Sequence, residues 1–145
     1  MKTYSPKAKD FQPEWYLIDA TDQPLGRLAT RVAHLLRGKQ RPLFAPHMNA
    51  GDHVVIVNAT KVRLTGRKPE QKKYFRHSGH PGGFREVVAS VMIERRPRFV
   101  VEHAVKGMLP HNTLGRAMLK RLKVYDGPAH PHKGQLNETI EETTS

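Results

Sequence analysis

A strand, helix and strand pattern in residues 15–57 constrains the fold of this chain more than any other feature. Residues 15–20 form a short apolar run and residues 54–57 a purely β-branched one, as is typical of strands buried on both faces in parallel sheets. Between them the sequence predicts a helix with Asp22 as its N-cap, Pro24 in its first turn and Gly38 at its end. The pattern indicates a βαβ unit whose helix has an apolar face of Leu25, Leu28, Ala29, Val32, Ala33, Leu35 and Leu36.

Shorter signals predict the remaining regular structure. We expect two further helices, one that begins near Phe84 and one that follows Pro97 and ends at Gly107. Two more short strands are predicted, at 61–65 and at 123–125.

The chain is predicted to form a single α/β domain. Residues 1–135 would contain a small, mostly parallel central sheet flanked by helices, with projecting basic loops. Residues 136–145 turn acidic and offer little to bury, so we expect a flexible C-terminal tail.

The run 102–123 carries a strong charge signal. We predict a helix from Leu114 onwards whose polar face presents Arg116, Lys120 and Lys123, while its apolar face contains Leu114, Ala117, Met118, Leu119 and Leu122. Solvated helix faces usually interleave acids with bases, but residues 106–125 contain no acid. An anionic partner is therefore favoured over simple solvation.

The whole chain has the same bias. It contains 25 Lys and Arg against 13 Asp and Glu, a formal net charge of +12 in 145 residues. A polyanion must neutralise such charge, and nucleic acid fits better than an anionic membrane surface. With no cysteine, no spanning apolar stretch and no signal-peptide core in its N-terminus, the chain is expected to be soluble and intracellular.

Two loops are predicted to contact phosphate. The segment 37–42 follows the first helix and places three cations within five residues, although a basic last turn is also what a helix dipole favours. In the segment 66–83, which we interpret as a projecting basic loop or hairpin, cations surround Tyr74 and Phe75. These rings could stack on bases, or at least one of them could belong to the core of a hairpin.

Enzymatic interpretations are weaker. Asp19 and Asp52 lie at the ends of predicted strands and could hold Mg²⁺, but acids there more often act as caps. His130 and His132 form the only close histidine pair, and the proline between them gives no preset metal geometry. Because the sequence contains no Walker loop, dinucleotide fingerprint or nucleophile elbow, we predict a protein that is not an enzyme and needs no metal, cofactor or small-molecule substrate.

A set of ordered motifs resembles one known family. The blocks are Asp-Gln-Pro-Leu-Gly-Arg-Leu-Ala at 22–29, Leu-Arg-Gly-Lys at 36–39, Leu-Thr-Gly-Arg-Lys at 64–68, Ser-Gly-His-Pro-Gly-Gly at 78–83 and Glu-His-Ala-Val-Lys-Gly-Met-Leu-Pro at 102–110. With Gly-Pro-Ala-His-Pro-His at 127–132, they resemble the bacterial-type large-subunit ribosomal protein L-thirteen family over roughly residues 2–135.

The resemblance implies a mixed α/β structural constituent of the large ribosomal subunit, in the cytoplasm, that binds large-subunit rRNA beside neighbouring ribosomal proteins and helps early subunit assembly. The alternative is a free regulator that binds mRNA or DNA. The candidate RNA-binding residues are Arg37, Lys39, Arg41, Arg67, Lys68, Lys72, Lys73, Tyr74, Arg76, His77, Lys106, Arg116, Lys120, Arg121, Lys123, His130 and His132.

Overall fold

The computed structural model describes residues 2–136. Short 3-10 helices occur at Ala8–Asp10 and Ala59–Lys61. In chain order the other elements within this range are β1 (Trp15–Asp19), α1 (Leu25–Arg37), β2 (His53–Val57), α2 (Lys68–Gln71), β3 (Lys73–His77), β4 (Phe84–Val88), α3 (Ala89–Arg95), α4 (Pro97–Met108), α5 (Thr113–Leu119) and β5 (Leu122–Val124).

The centre of the described structure is a parallel three-stranded sheet in the order β1-β2-β5. Its register aligns Tyr16 with Val54 and Ile18 with Ile56, and β5 continues both rows with Leu122 and Val124. Because α1 connects the parallel strands β1 and β2, the predicted βαβ unit is confirmed, and so is the α/β class with a small parallel sheet. The strands β3 and β4 form a separate antiparallel pair, which we call the hairpin.

One face of the sheet carries the main core. The two aligned rows of side chains pack into a single buried cluster with α1, α4 and the Met118 side chain of α5. All seven apolar residues predicted for α1 are buried, as expected for a helix whose hydrophobic face repeats with a 3.6-residue period. The helix ends as predicted at Gly38, whose φ of 83° lies in the left-handed region that glycine adopts without strain.

The other face of the sheet is covered unevenly. In β2, Val55 and Val57 are buried there, so the prediction of a strand buried on both faces is confirmed for β2. In β1, Trp15 and Leu17 are only half-buried, and the same prediction is wrong for that strand. β1 is an edge strand of the sheet, with β2 on one side, and edge strands receive less cover from neighbours.

Two predictions near the start of α1 are wrong. Asp22 is not the N-cap, because it has a φ of 56° in a turn and the helix begins after Pro24. The segment 61–65 is not a strand, because among the described residues its β-pairing is limited to an isolated bridge between Pro24 and Arg63. Backbone bonds of this segment satisfy the start of α1 instead: Leu25 N–H donates to Arg63 O at 2.9 Å.

Two helix boundaries also differ from prediction. The segment that begins at Phe84 is strand β4, because its backbone pairs antiparallel with the preceding strand β3, and residue types in 84–88 alone do not reveal that pairing. The helix after Pro97 is present as α4, with Pro97 in its first turn, but Gly107 lies inside it. The backbone N–H of Leu109 still bonds back to Val105 O at 3.1 Å, which carries the last turn past the glycine.

The last predicted helix is shorter than expected. α5 ends at Leu119, so Leu122 and Lys123 belong to β5, which confirms a last strand shifted by one residue. Met118 is fully buried, whereas Ala117 faces solvent, contrary to its predicted place on the apolar face. The predicted acidic tail lies outside the described residues, apart from Leu136.

Candidate nucleic-acid interface

The basic loop after α1 is built around a buried acid. The Asp52 side chain is fully buried and accepts hydrogen bonds from Glu14 N–H at 2.9 Å, from the Gln40 amide at 2.5 Å and from the Arg41 guanidinium at 2.5 Å. Arg41 also donates to the backbone carbonyl of Gln12. We call Glu14, Gln40, Arg41 and Asp52 the Asp52 cluster. Arg41 was predicted to contact phosphate, but in the structure its side chain stabilises the fold instead.

The other cations of this loop are more accessible. Lys39 is exposed, while the half-buried Arg37 guanidinium lies 5.6 Å from the centre of the Phe44 ring, within cation–π distance. Gly38, between them, is held against the backbone of Ala50, where an added Cβ would lie 2.5 Å from the carbonyl oxygen. Lys39 is therefore the side chain of this turn best placed for an external anion.

The Arg121 side chain, like that of Arg41, is hydrogen-bonded within the protein, whereas Lys39 is exposed. Its guanidinium donates to the backbone carbonyl of Gly51, directly before the Asp52 cluster, and it is half-buried. Burial lowers the pKa of Arg121, and the Asp52 charge opposes that shift. Lys123 lies two residues later on β5 and is exposed, so the two predicted site residues face different environments.

The hairpin separates the two aromatic residues of the second basic loop. Tyr74 is buried and makes edge contacts with the rings of Phe99 at 5.9 Å and His103 at 5.7 Å. Phe75 is 65% exposed and stacks on Phe84, which is 56% exposed, with ring centres 5.6 Å apart. The alternative of one core ring is therefore correct: Tyr74 belongs to the core and cannot stack on bases, whereas Phe75 can.

The predicted cations of this region are all exposed: Arg67, Lys68, Lys72, Lys73, Arg76 and His77. Lys72 lies 5.5 Å from the Tyr74 ring centre, and Lys73 pairs with Glu86 at 2.9 Å on the surface. Arg76 stands directly opposite Arg85 in the strand register. Like charges at opposed positions destabilise a strand pair, so this arrangement favours an external anion between them.

The α4–α5 turn brings two predicted cations together. Lys106 and Arg116 line one small cavity of about 200 Å³ together with His111. The turn is tight: Asn112 caps α5 by accepting from Gly115 N–H at 2.8 Å, and a Cβ on Gly115 would lie 1.8 Å from the carbonyl oxygen of Pro110. Lys120, directly after α5, is exposed.

The two C-terminal histidines pack against the protein. The His132 ring lies 5.4 Å from the Trp15 ring and 6.4 Å from that of His130. Its two nitrogens contact the Tyr125 hydroxyl at 2.6 Å and the Gln135 amide oxygen at 2.7 Å. His132 is thus occupied in holding the C-terminal segment over β1.

The aspartates considered as magnesium ligands have structural partners. Asp52 forms the cluster described above. Asp19 accepts from the backbone and hydroxyl of Thr21 and from the Asn58 amide. Desolvation alone would raise the pKa of Asp19, but these hydrogen bonds outweigh it and hold the pKa below its usual value.

Sequence reasoning missed two cations that the fold brings to prominent positions. Arg85 was hidden because β4 was predicted as a helix, and Arg63 because the 61–65 segment was predicted as a strand of the sheet. On α1 the sequence places Arg27, Arg31 and His34 on the polar side of the helix, which is equally consistent with solvation; in the structure Arg27 and His34 are exposed and Arg31 is half-buried. Together with Lys68, Arg63 and these three side chains line one groove.

Within the described residues, none of the helices combines the length and the apolar character that crossing a membrane requires. The fold and the surface together define the class of protein. It is an α/β protein whose small parallel sheet supports cations on loops, on helix faces and on an exposed hairpin.

Comparison with known proteins identifies the family. A family model described as Ribosomal protein L13 matches residues 13–131. A protein of Roseiflexus castenholzii named Large ribosomal subunit protein uL13 is 56% identical over 141 residues, covering 97% of each chain. Proteins of the same name from Thermobifida fusca, with 58% identity over 93% of this chain and 91% of the relative, and from Halorhodospira halophila, with 55% over 97% and 99%, are similarly close. The chain belongs to the Ribosomal protein L13 family, which confirms the predicted resemblance.

Proposed function

We propose that this chain is a structural constituent of the large ribosomal subunit that binds large-subunit rRNA and is not an enzyme. Family membership supports the structural role, since the relatives are named as large ribosomal subunit proteins at 50–58% identity over nearly their full length. The net charge of +12 supports a polyanionic partner. The proposal includes contacts with neighbouring ribosomal proteins, a contribution to early assembly, and the cytoplasmic ribosome as the place of action.

The hairpin is the observation that carries the RNA-binding part of the proposal. It places Arg76 opposite Arg85 and leaves the stacked rings of Phe75 and Phe84 exposed. In the isolated chain the two guanidinium groups repel each other, and the outer faces of the stacked rings leave apolar surface in water. RNA would offset both, with phosphate between the guanidinium groups and an unstacked base against the rings.

The proposed mechanism is a rigid arrangement of cations. The packing of α1 and the Asn112 cap position Lys39 and Arg116, and the contacts of Tyr74 with Phe99 and His103 hold the hairpin that carries Arg76 against α4. Affinity then comes mainly from phosphate contacts and RNA shape, because the major groove of A-form RNA is too deep and narrow for side chains to read. A protein of this kind stabilises a junction where separate RNA segments approach one another.

Two measurements test the proposal. The full chain should bind a large-subunit rRNA fragment in the presence of excess unrelated RNA, and it should stay with large subunits sedimented after a high-salt wash. A free mRNA- or DNA-binding regulator would be removed by the wash and would not prefer the rRNA fragment. Loss from the washed subunits together with equal binding to both RNAs would contradict the proposal.

A further inference from the structure

A basic groove runs between α1 and the segment 63–68. It is an open groove of about 920 Å³, and its cations come from two segments, Arg27, Arg31 and His34 from α1 and Arg63 and Lys68 from the other side. No carboxylate is among the described residues that line it; the others are Pro24, Leu25, Gly26, Thr30, Leu35, Gln40, Leu64 and Thr65. The groove is separate from the hairpin tip and from the α4–α5 turn.

The two walls are fixed relative to each other by the backbone. Arg63 N–H donates to Gln23 O at 3.0 Å, and Leu25 N–H donates to Arg63 O at 2.9 Å. On α1 the three cations follow at spacings of four and three residues, so they share one face of the helix. From Arg27 to His34 this face extends about 10 Å along the axis, which is enough for several charged groups of an extended ligand.

Gly26 has no packing role among the described residues. It lies in the first turn of α1, where glycine is less favourable than alanine. Its φ is not in the left-handed region, and an added Cβ would meet nothing within 4 Å among the described residues. Gly26 also lines the groove, so the missing side chain leaves room for a ligand to approach the helix backbone there.

We infer that this groove holds one sugar-phosphate strand of large-subunit rRNA, which approaches the backbone of α1 at Gly26 with its phosphates between Arg27 and Arg63. The inference rests on the proposed function and adds a second RNA-contact region to the hairpin. Cations on both walls suit a chain of phosphates, whereas one small anion could meet only part of the groove. The half-buried Leu64 provides an apolar surface for sugar atoms.

The first test is a substitution of Gly26 that should raise stability and lower the affinity for RNA. Gly26→Ala should raise the Tm by about 2 to 4 °C, because alanine favours the helix and nothing in the chain obstructs it. The same variant should bind the rRNA fragment about tenfold more weakly, since the Cβ intrudes where the strand packs. Ser90→Ala in α3 is the matched control: it changes an exposed residue in a first helical turn outside the groove and should leave the affinity unchanged.

The second test removes charge. The double variant Arg27→Gln/Arg63→Gln should flatten the log–log salt dependence of rRNA binding by about 1.4 to 1.8, from roughly 0.7 to 0.9 for each lost phosphate contact. The double variant Lys9→Gln/Arg95→Gln removes the same charge from exposed sites outside the groove and should change the slope far less. Thr65→Cys adds a single cysteine to a chain that has none, so a photo-crosslinker attached there should label rRNA and be blocked by unlabelled rRNA.

The outcomes separate the two proposals. If the groove variants match their controls while the unaltered chain binds rRNA specifically, the groove inference is overturned and the proposed function stands. If the unaltered chain shows no preference for the rRNA fragment, both are overturned.

Discussion

The Asp52 cluster and the hairpin use the same kind of residue for different purposes. The Arg41 side chain is 22% exposed, and its guanidinium donates hydrogen bonds to a fully buried carboxylate and to a backbone carbonyl. Arg76 is exposed, and its nearest cross-strand neighbour is a second arginine. One arginine holds the chain together, and the other is oriented towards solvent without an opposing acid in the register.

The difference teaches that a basic loop cannot be assigned to RNA from its charge alone. What decides is whether the fold brings a buried acid within reach, because an unpaired buried carboxylate is costly and takes the nearest guanidinium. Asp52 lies 11 residues from Arg41 in sequence and meets it only because the chain returns to begin β2. The hairpin has only exposed Glu86 to pair with its cations, and Lys73 takes it at 2.9 Å.

Removing the acid at the centre of the cluster should have the largest effect. Asp52→Ala leaves the Arg41 guanidinium and the Glu14 N–H without their partner, and we expect the free energy of unfolding to fall by about 3 to 5 kcal/mol. Urea denaturation followed by circular dichroism measures this loss. Asp52→Asn, which keeps the shape and some of the hydrogen bonds, should lose less; equal stability of Asp52→Ala and the unaltered chain would show that the cluster does not support the fold.

A smaller effect should appear at alkaline pH through Tyr16. Burial, with the hydrogen bond to Glu14 and the Asp52 charge, raises the pKa of Tyr16 to about 12. Since the unfolded value is near 10, the stabilisation is fully present below pH ~10, is lost as pH rises through about 12, and amounts to about 3 kcal/mol. In Tyr16→Phe this part of the decline in unfolding free energy between pH 10 and 12 should be missing. Identical pH profiles for the two proteins would mean that the phenol does not titrate with folding.

Next, the hairpin and the cluster should respond in opposite ways to charge removal. The triple variant Lys72→Gln/Arg76→Gln/Arg85→Gln should keep its Tm and flatten the salt dependence of rRNA binding by about 2 to 3. Arg41→Gln should lower the Tm and leave that slope nearly unchanged. Filter binding over a salt series, with thermal melts of both proteins, checks the contrast, and a reversed pattern would exchange the assigned roles.

The smallest effect is expected from the C-terminal tail. Deleting residues 137–145 removes Glu138, Glu141 and Glu142 and no lysine or arginine, so rRNA binding should change by less than about twofold and become slightly tighter, if at all. Competition binding with the full chain measures the ratio. A marked loss of affinity would show that the tail contributes a contact.

Local sequence patterns were sufficient to predict a helix or strand wherever the residues of that element alone indicated its type and its ends. The seven apolar residues of α1 and its glycine stop were readable because a 3.6-residue period and a left-handed C-cap are properties of neighbouring residues. The β-branched run of β2 was readable for the same reason. The ordered motifs were sufficient to predict the family.

Pairing between one segment and another could not be predicted in this way. The β4 strand was mistaken for a helix because its partner, β3, lies across a turn whose register local propensity does not fix. The segment around Arg63 was mistaken for a strand because its backbone bonds go to the start of α1.

The sequence by itself determined the α/β class, the βαβ unit, the strongly basic character and the family. Each of these follows from residue types or from short-range periodicity. Only the tertiary structure decided which cations face outward. Burial and pairing depend on what the folded chain brings within a few ångströms: Asp52 engages Arg41, the ring of Tyr74 turns inward while that of Phe75 turns outward, and Arg63 joins Arg27 across a groove.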